Sequence, residues 1–163
     1  LALIFNLIQL NSFLCILQKP LLNKRDMEGI LGKYAPYFYA ILRIASGLMF
    51  AMHGSQKLLG FPGGKDPMPL FSLMGLAGVV ELVGGLLIAI GLFASIAAII
   101  ASGQMLVAYF MAHAPNHPLP LLNQGELALL YFFLFLYISA QGAGIWSVDA
   151  ARRSTGSRVG AHR

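Results

Sequence analysis

Four stretches of bilayer length, with very few charges inside them, constrain this chain more than anything else. A bilayer core roughly 30 Å thick needs about 20 mostly apolar residues per helix. The stretches run over residues 35–59, 71–93, 94–113 and 124–141. Apolar residues surround each of them on nearly every side, as expected of helices that face lipid rather than water. Composition agrees: 58% of the 163 residues are hydrophobic and 10% are charged, against about 25% charged in an average soluble domain. A small soluble domain has too much surface to be covered by so few polar residues. The expected fold is therefore all-α, an integral membrane four-helix bundle.

The connections suit a compact bundle. Residues 60–69 combine three glycines and three prolines in a turn-rich loop. Gly91-Leu92-Phe93-Ala94-Ser95 is short enough to make the second and third helices antiparallel neighbours. Three prolines between Ala114 and Pro120 break the chain before the fourth helix, where Asn123 and Glu126 have the spacing of a capping box.

The net charge of +5 suggests at first a nucleic-acid partner. Its placement argues against one. Residues 1–150 carry seven Lys/Arg and six Asp/Glu, whereas residues 151–163 carry four Arg and no acid. Lys24, Arg25 and Lys33 precede the first helix, and the loop at 114–123 has neither Lys nor Arg. By the positive-inside rule, both termini are expected to be cytoplasmic, with the lipid bilayer as the main partner. Residues 151–163 then form a basic cytoplasmic tail.

Residues 1–26 stand apart. They are apolar but interrupted by Asn6, Gln9, Asn11 and Ser12, without a basic start or a small-residue cleavage site. Met27 opens an ordinary lead-in to the first helix. The segment reads as an upstream extension outside the native protein, or else as an extra apolar helix, with the bundle domain at 27–150. A start at Met27 would lower the net charge to +3.

Ionisable residues inside a membrane are costly, so the few present point to structure or function. Arg43, Gly47, Phe50, Gly54 and Lys57 share a stripe on the first helix, with Ser46 and His53 beside it. Gly78, Glu81, Gly85 and Ala89 share one on the second. Small residues at such spacing let helices approach closely. Arg43 and Glu81 are estimated to lie at similar depth, which predicts an interior Arg43–Glu81 ion pair that sets helix register or handles protons. A second cluster is expected toward the outer side: His53, Lys57, His113 with Tyr109 one turn earlier, and Glu126. Structural roles compete for each. Lys57 could snorkel, Glu126 could cap the fourth helix, and His113 could simply end the third. The histidines His53 and His113 lack the Glu-x-x-His companions of a di-iron site, and no metal site is expected. The single cysteine, Cys15, permits no disulfide within the chain and no thiol-pair chemistry.

Four motifs in order resemble the DoxX family of small bacterial membrane proteins. They are Leu42-Arg43-Ile44-Ala45-Ser46-Gly47 running on to Leu58, Glu81-Leu82-Val83-Gly84-Gly85 running on to Phe93, Asn123-Gln124-Gly125-Glu126-Leu127-Ala128, and Gly142-Ala143-Gly144-Ile145-Trp146-Ser147-Val148-Asp149. The family takes its name from a thiosulfate:quinone oxidoreductase subunit. The resemblance implies four helices, with Arg43, His53, Lys57, Glu81 and Glu126 as the polar interior. It also implies an accessory or quinone-linked subunit of a membrane oxidoreductase. No cofactor is evident in the chain; a quinone would be the ligand, and Phe50, Tyr109, Phe133 and Tyr137 its aromatic surroundings. An oxidoreductase partner subunit or a second copy of the chain would be the protein partner. The alternative is a non-catalytic scaffold or anchor, or a small-molecule transporter.

Overall fold

The computed structural model describes residues 29, 31–64 and 66–160, with the side chains of 155–160 left out. The segment at 1–26 lies outside the described residues. The chain divides into two compact units, Leu1–Ala35 and Pro36–Arg163. In the first, the described residues include a 3₁₀ turn at Gly32–Tyr34, where the Lys33 ammonium sits 4.9 Å from the Tyr34 ring centre.

The bundle is all-α among the described residues. Helix α1 spans Ala35–Leu59, α2 spans Leu73–Ile90, α3 spans Ala94–His113, α4 spans Glu126–Gln141 and α5 spans Val148–Gly160. Three of these helices, α1 to α3, are long and apolar enough to cross a membrane. Helix α4 is apolar but has 16 residues, or about 24 Å at the helical rise, short of a core about 30 Å thick. The sequence-based span at 124–141 is longer because Gln124 and Gly125 belong to the turn. Gln124 has φ +58° and Gly125 stands at the helix cap.

Helix ends follow their capping chemistry. The Ser72 hydroxyl accepts the Gly75 N–H at 3.0 Å, so α2 starts at Leu73 rather than at 71. At the other end Gly91 adopts φ +70°, its N–H bonding Ile88 O and the Leu92 N–H bonding Leu87 O. This Schellman closure ends α2 at Ile90, three residues before the apolar run ends. Both α2 and α3 also contain a π-helical turn, at Val80–Gly84 and Tyr109–His113.

Glycine brings α1 and α2 into backbone contact. A Cβ on Gly47 would lie 2.7 Å from Gly85 O, and one on Gly85 would lie 2.5 Å from Gly47 O. Seven residues along α1 and seven back along α2, Gly54 meets Gly78 O at 2.6 Å on the same test. The two helices therefore run antiparallel, with Gly47 seated between Gly85 and Ala89 and Gly54 between Gly78 and Leu82. The remaining space is filled by aromatic and aliphatic side chains from all four long helices. Phe50, Ile88, Ala98, Phe135 and Ile138 are essentially inaccessible. Phe50 meets Phe135 edge-on at 4.7 Å between ring centres, and Ser102 Oγ donates to Phe132 O at 2.9 Å, tying α3 to α4.

This packing predicts position-dependent costs. Gly85→Ala places a methyl against the α1 backbone and should destabilise the purified protein by about 1–3 kcal/mol, the usual range for overpacking. Gly103→Ala meets nothing within 4 Å and should leave thermal unfolding unchanged or slightly raised. Unfolding midpoints in mild detergent compare the two.

Candidate functional site

The glycine register separates Arg43 from Glu81. It sets Arg43 beside the C-terminal end of α2 and Glu81 between the levels of Ala51 and Gly54, eight to eleven residues from Arg43 along α1. That is at least about 12 Å along the axis, so the expected Arg43–Glu81 ion pair does not form. The error in depth came from the helix ends: α2 stops at Ile90, while α1 continues past that level toward its own N-terminus.

Arg43 is instead a backbone clamp. It is completely buried, and its Nη1 donates to Ile88 O and Ala89 O, each at 2.6 Å. Its Nη2 donates to Trp146 O at 2.8 Å and reaches Ile145 O at 3.4 Å. The guanidinium thus satisfies carbonyls at the C-terminus of α2 and fastens the 142–147 turn to it. The charge also complements the negative end of the α2 dipole. Asp149 does the converse for α3, accepting the Phe93 and Ala94 N–H groups at 3.2 and 3.3 Å. These are well-partnered structural interactions. Only Arg43 Nε lacks a partner.

The chemically open region lies toward the other end of the bundle. Lys57 stands near the end of α1, yet its ammonium pairs with Glu81 Oε1 instead of turning outward. The carboxylate is 2% exposed and the lysine side chain 31%. From α3, Gln104 Nε2 donates to the same Oε1 at 2.9 Å and to Ala77 O at 3.3 Å. Glu81 Oε2 has no hydrogen-bond partner although it is buried, and neither has the Tyr131 hydroxyl on α4.

These groups border a cavity of about 220 Å³ lined from all four long helices. Its polar lining comprises His53 and Lys57 of α1, Glu81 of α2, His113 of α3, Gln124 of the following turn and Tyr131 of α4. Phe50, Met105, Ala108, Leu127 and Ala128 supply the apolar wall. His53 is exposed and meets the Tyr131 ring edge-on at 6.3 Å. His113 Nδ1 lies 3.0 Å from Asn123 O. A carbonyl can only accept, so Nδ1 holds the proton and Nε2 of the neutral ring is left as an acceptor.

Of the residues singled out from sequence, His53, Lys57, Glu81 and His113 meet at this cavity. Arg43 does not, being at the clamp. Glu126 does not line it either; it is exposed in the first turn of α4. Asn123 makes no capping box with it. Its Oδ1 accepts the Gly125 N–H at 2.8 Å and its Nδ2 donates to His117 O at 2.7 Å, so it organises the 114–125 turn. Among the aromatics, Phe50 and Tyr109 are buried, but Phe133 and Tyr137 are 61% and 51% exposed and point away from the interior.

Sequence reasoning missed Gln104, Gln124 and the role of Tyr131. A lone glutamine in an apolar helix is a signal for the first. The other two depend on a turn and on packing. Nor did apolar periodicity reveal the π-helical turns, although one contains Glu81 and the other His113. Such turns recur at functional sites because they redirect a side chain from the regular helical stripe.

Taken together, the apolar exterior, the bilayer-length helices and the buried ionic cluster define an all-α integral membrane protein. Its particular family follows from comparison. The DoxX family model matches residues 38–114, which covers most of α1 and all of α2 and α3. An uncharacterized protein of Haemophilus influenzae is 47% identical over 130 residues, covering 73% of this chain and 93% of that protein. No solved structure matches. The chain belongs to the DoxX family.

The two arginine and lysine roles separate in a double-mutant cycle. Lys57→Met and Glu81→Gln should each destabilise the protein and show a coupling of at least about 1 kcal/mol, because removing one partner strands a buried charge. Arg43→Lys should also destabilise, but its coupling to Glu81→Gln should be within about 0.5 kcal/mol of zero. Unfolding midpoints of the three single and two double variants, with the parent, give both numbers.

Proposed function

We propose that this chain is an accessory subunit of a quinone-linked oxidoreductase in a bacterial inner membrane, and that the four-helix cavity receives the quinone ring. The single observation that carries this reading is that two residues lining the cavity, Glu81 and Tyr131, each keep a buried polar atom without a partner, Oε2 and the hydroxyl. Buried polar atoms ordinarily have partners, and a ligand supplies them here.

Size and chemistry support the assignment. A cavity of about 220 Å³ is below the roughly 300–1,000 Å³ of drug-sized sites. It suits one small ring system. An ionised Glu81 held by Lys57 can only accept a hydrogen bond, so Oε2 calls for a donor such as a ring hydroxyl. Tyr131 can donate or accept, and His113 Nε2 can accept. A ring bearing two exchangeable oxygens meets these demands in its hydroxyl form. A bound quinone would carry electrons and protons between the membrane pool and a partner subunit that holds the electron carrier. This chain would contribute binding, orientation and an ionised carboxylate beside a lysine ammonium.

The topology belongs to the same proposal. Helix α4 acts as a fourth, short span, accommodated by local thinning or tilting of its surroundings. Both termini lie in the cytoplasm, with the Tyr37 and Trp146 rings, 5.6 Å apart, at that interface. The cavity then opens toward the outer half of the membrane, and residues 151–163 anchor the cytoplasmic side.

Thermal unfolding with tail-less quinone and quinol analogues tests the function. At about a hundred times Kd, either ligand stabilises the folded protein by about 2.7 kcal/mol. The parent protein should show a clear upward shift. Glu81→Gln and Tyr131→Phe should lose most of it, whereas Glu126→Gln should retain it. No shift in the parent, or an equal shift in all three variants, would favour the scaffold or transporter reading.

A further inference from the structure

The polar cavity has an apolar neighbour. A second cavity of about 220 Å³ lies between α1 and α4. Ala45 and Met49 of α1 and Leu130 and Leu134 of α4 help to line it, and Ala45, Met49 and Leu130 are exposed on the outer surface of the bundle. Its hydroxyl group, on Ser46, is already turned to Arg43 O of its own helix at 3.3 Å. The groove therefore offers a ligand dispersion contacts and an apolar surface, but hardly any hydrogen bonding.

Two residues belong to both cavities. Leu127 and Tyr131 line the polar one on one side and the apolar one on the other. Tyr131 is buried, with its ring against Phe50 and Phe135 and its hydroxyl unpartnered. An ionic, hydrogen-bonding chamber and a hydrocarbon-lined groove on the bundle surface thus lie side by side, with Leu127 and the Tyr131 ring as their shared wall. That is the chemical profile of an amphiphile with a small polar ring and a long apolar chain.

We propose that the α1–α4 groove is a second subsite, which seats the hydrocarbon chain of the ligand whose ring occupies the polar cavity. The ligand enters sideways from the bilayer between α1 and α4, and Tyr131 stands where ring and chain join. This inference rests on the headgroup reading of the polar cavity. The shared wall of Leu127 and Tyr131, which sets the groove directly beside the ring site, is what assigns it to that ligand's chain rather than to a passing lipid.

The full chain in lipid nanodiscs tests it with a quinol analogue that carries a photoreactive diazirine on its alkyl chain. Labelling is expected within residues 42–49 and 127–134, and excess tail-less quinol should reduce it at least tenfold. Ala45→Trp, or Leu130→Trp from the opposite wall, should block labelling at the groove. Either variant should keep the thermal shift produced by tail-less quinol. Competed labelling at other surfaces, such as Ile96 and Ile100 of α3, would overturn the groove while leaving the headgroup reading intact. Uncompeted groove labelling would do the same, by showing that bulk lipid chains fill it. A tail-less quinol that fails to stabilise the parent protein would overturn both readings.

Discussion

Backbone contact between α1 and α2 through their glycines is the constraint on which the rest of this structure depends. A methyl group on Gly47, Gly85 or Gly54 would meet the facing backbone at 2.7 Å or less. Lipid tails are as apolar as leucine, so helices in a membrane associate through close packing and polar contacts rather than through exclusion of water. The glycine pairs provide the packing. They also fix the register, and the register decides which charged groups meet. Arg43 falls beside the end of α2, where it caps carbonyls. Lys57, directed back along its helix, reaches Glu81.

The bundle consequently has two ends of different character. At the Arg43 end, the guanidinium and Asp149 hold backbone groups of three segments together. Gly91 is part of this end, since its left-handed conformation turns the chain where a side chain would meet Ser147 and Arg43. At the other end, Glu81, Tyr131 and Gln104 each have a buried polar atom without a partner. Such atoms are expensive in an apolar interior. The contrast separates an arginine that fastens backbone segments together from an ion pair that borders a cavity.

Much of this was legible in the sequence, and the failures are instructive. The length of α1 and the tight turn at 91–95 follow directly from apolar runs and glycine placement. The glycine stripes on α1 and α2 were visible as packing faces. What helical-wheel reasoning could not provide was their relative register, because it sets the start of α1 and the end of α2 at one depth, whereas Arg43, eight residues into α1, lies beside the end of α2. That offset was enough to pair Glu81 with Arg43 instead of Lys57. His53, Lys57 and His113 were grouped from spacing and depth alone. The lone Gln104 was a signal that went unread, whereas Tyr131 escaped because nothing in a single apolar helix distinguishes an inward tyrosine from one at the lipid surface. The outward turn of Phe133 and Tyr137 has the same origin.

The register and the ionic cluster can be measured together by solid-state NMR in lipid bilayers. With nitrogen-15 in lysine and arginine and carbon-13 in glutamate, dipolar recoupling reports which cation lies beside the Glu81 carboxyl. The glycine register predicts strong dephasing of the Glu81 carboxyl carbon by a lysine side-chain nitrogen, lost in Lys57→Met, and none by arginine. Dephasing by an arginine nitrogen that disappears in Arg43→Lys would contradict it, and with it the placement of Glu81 at the cavity.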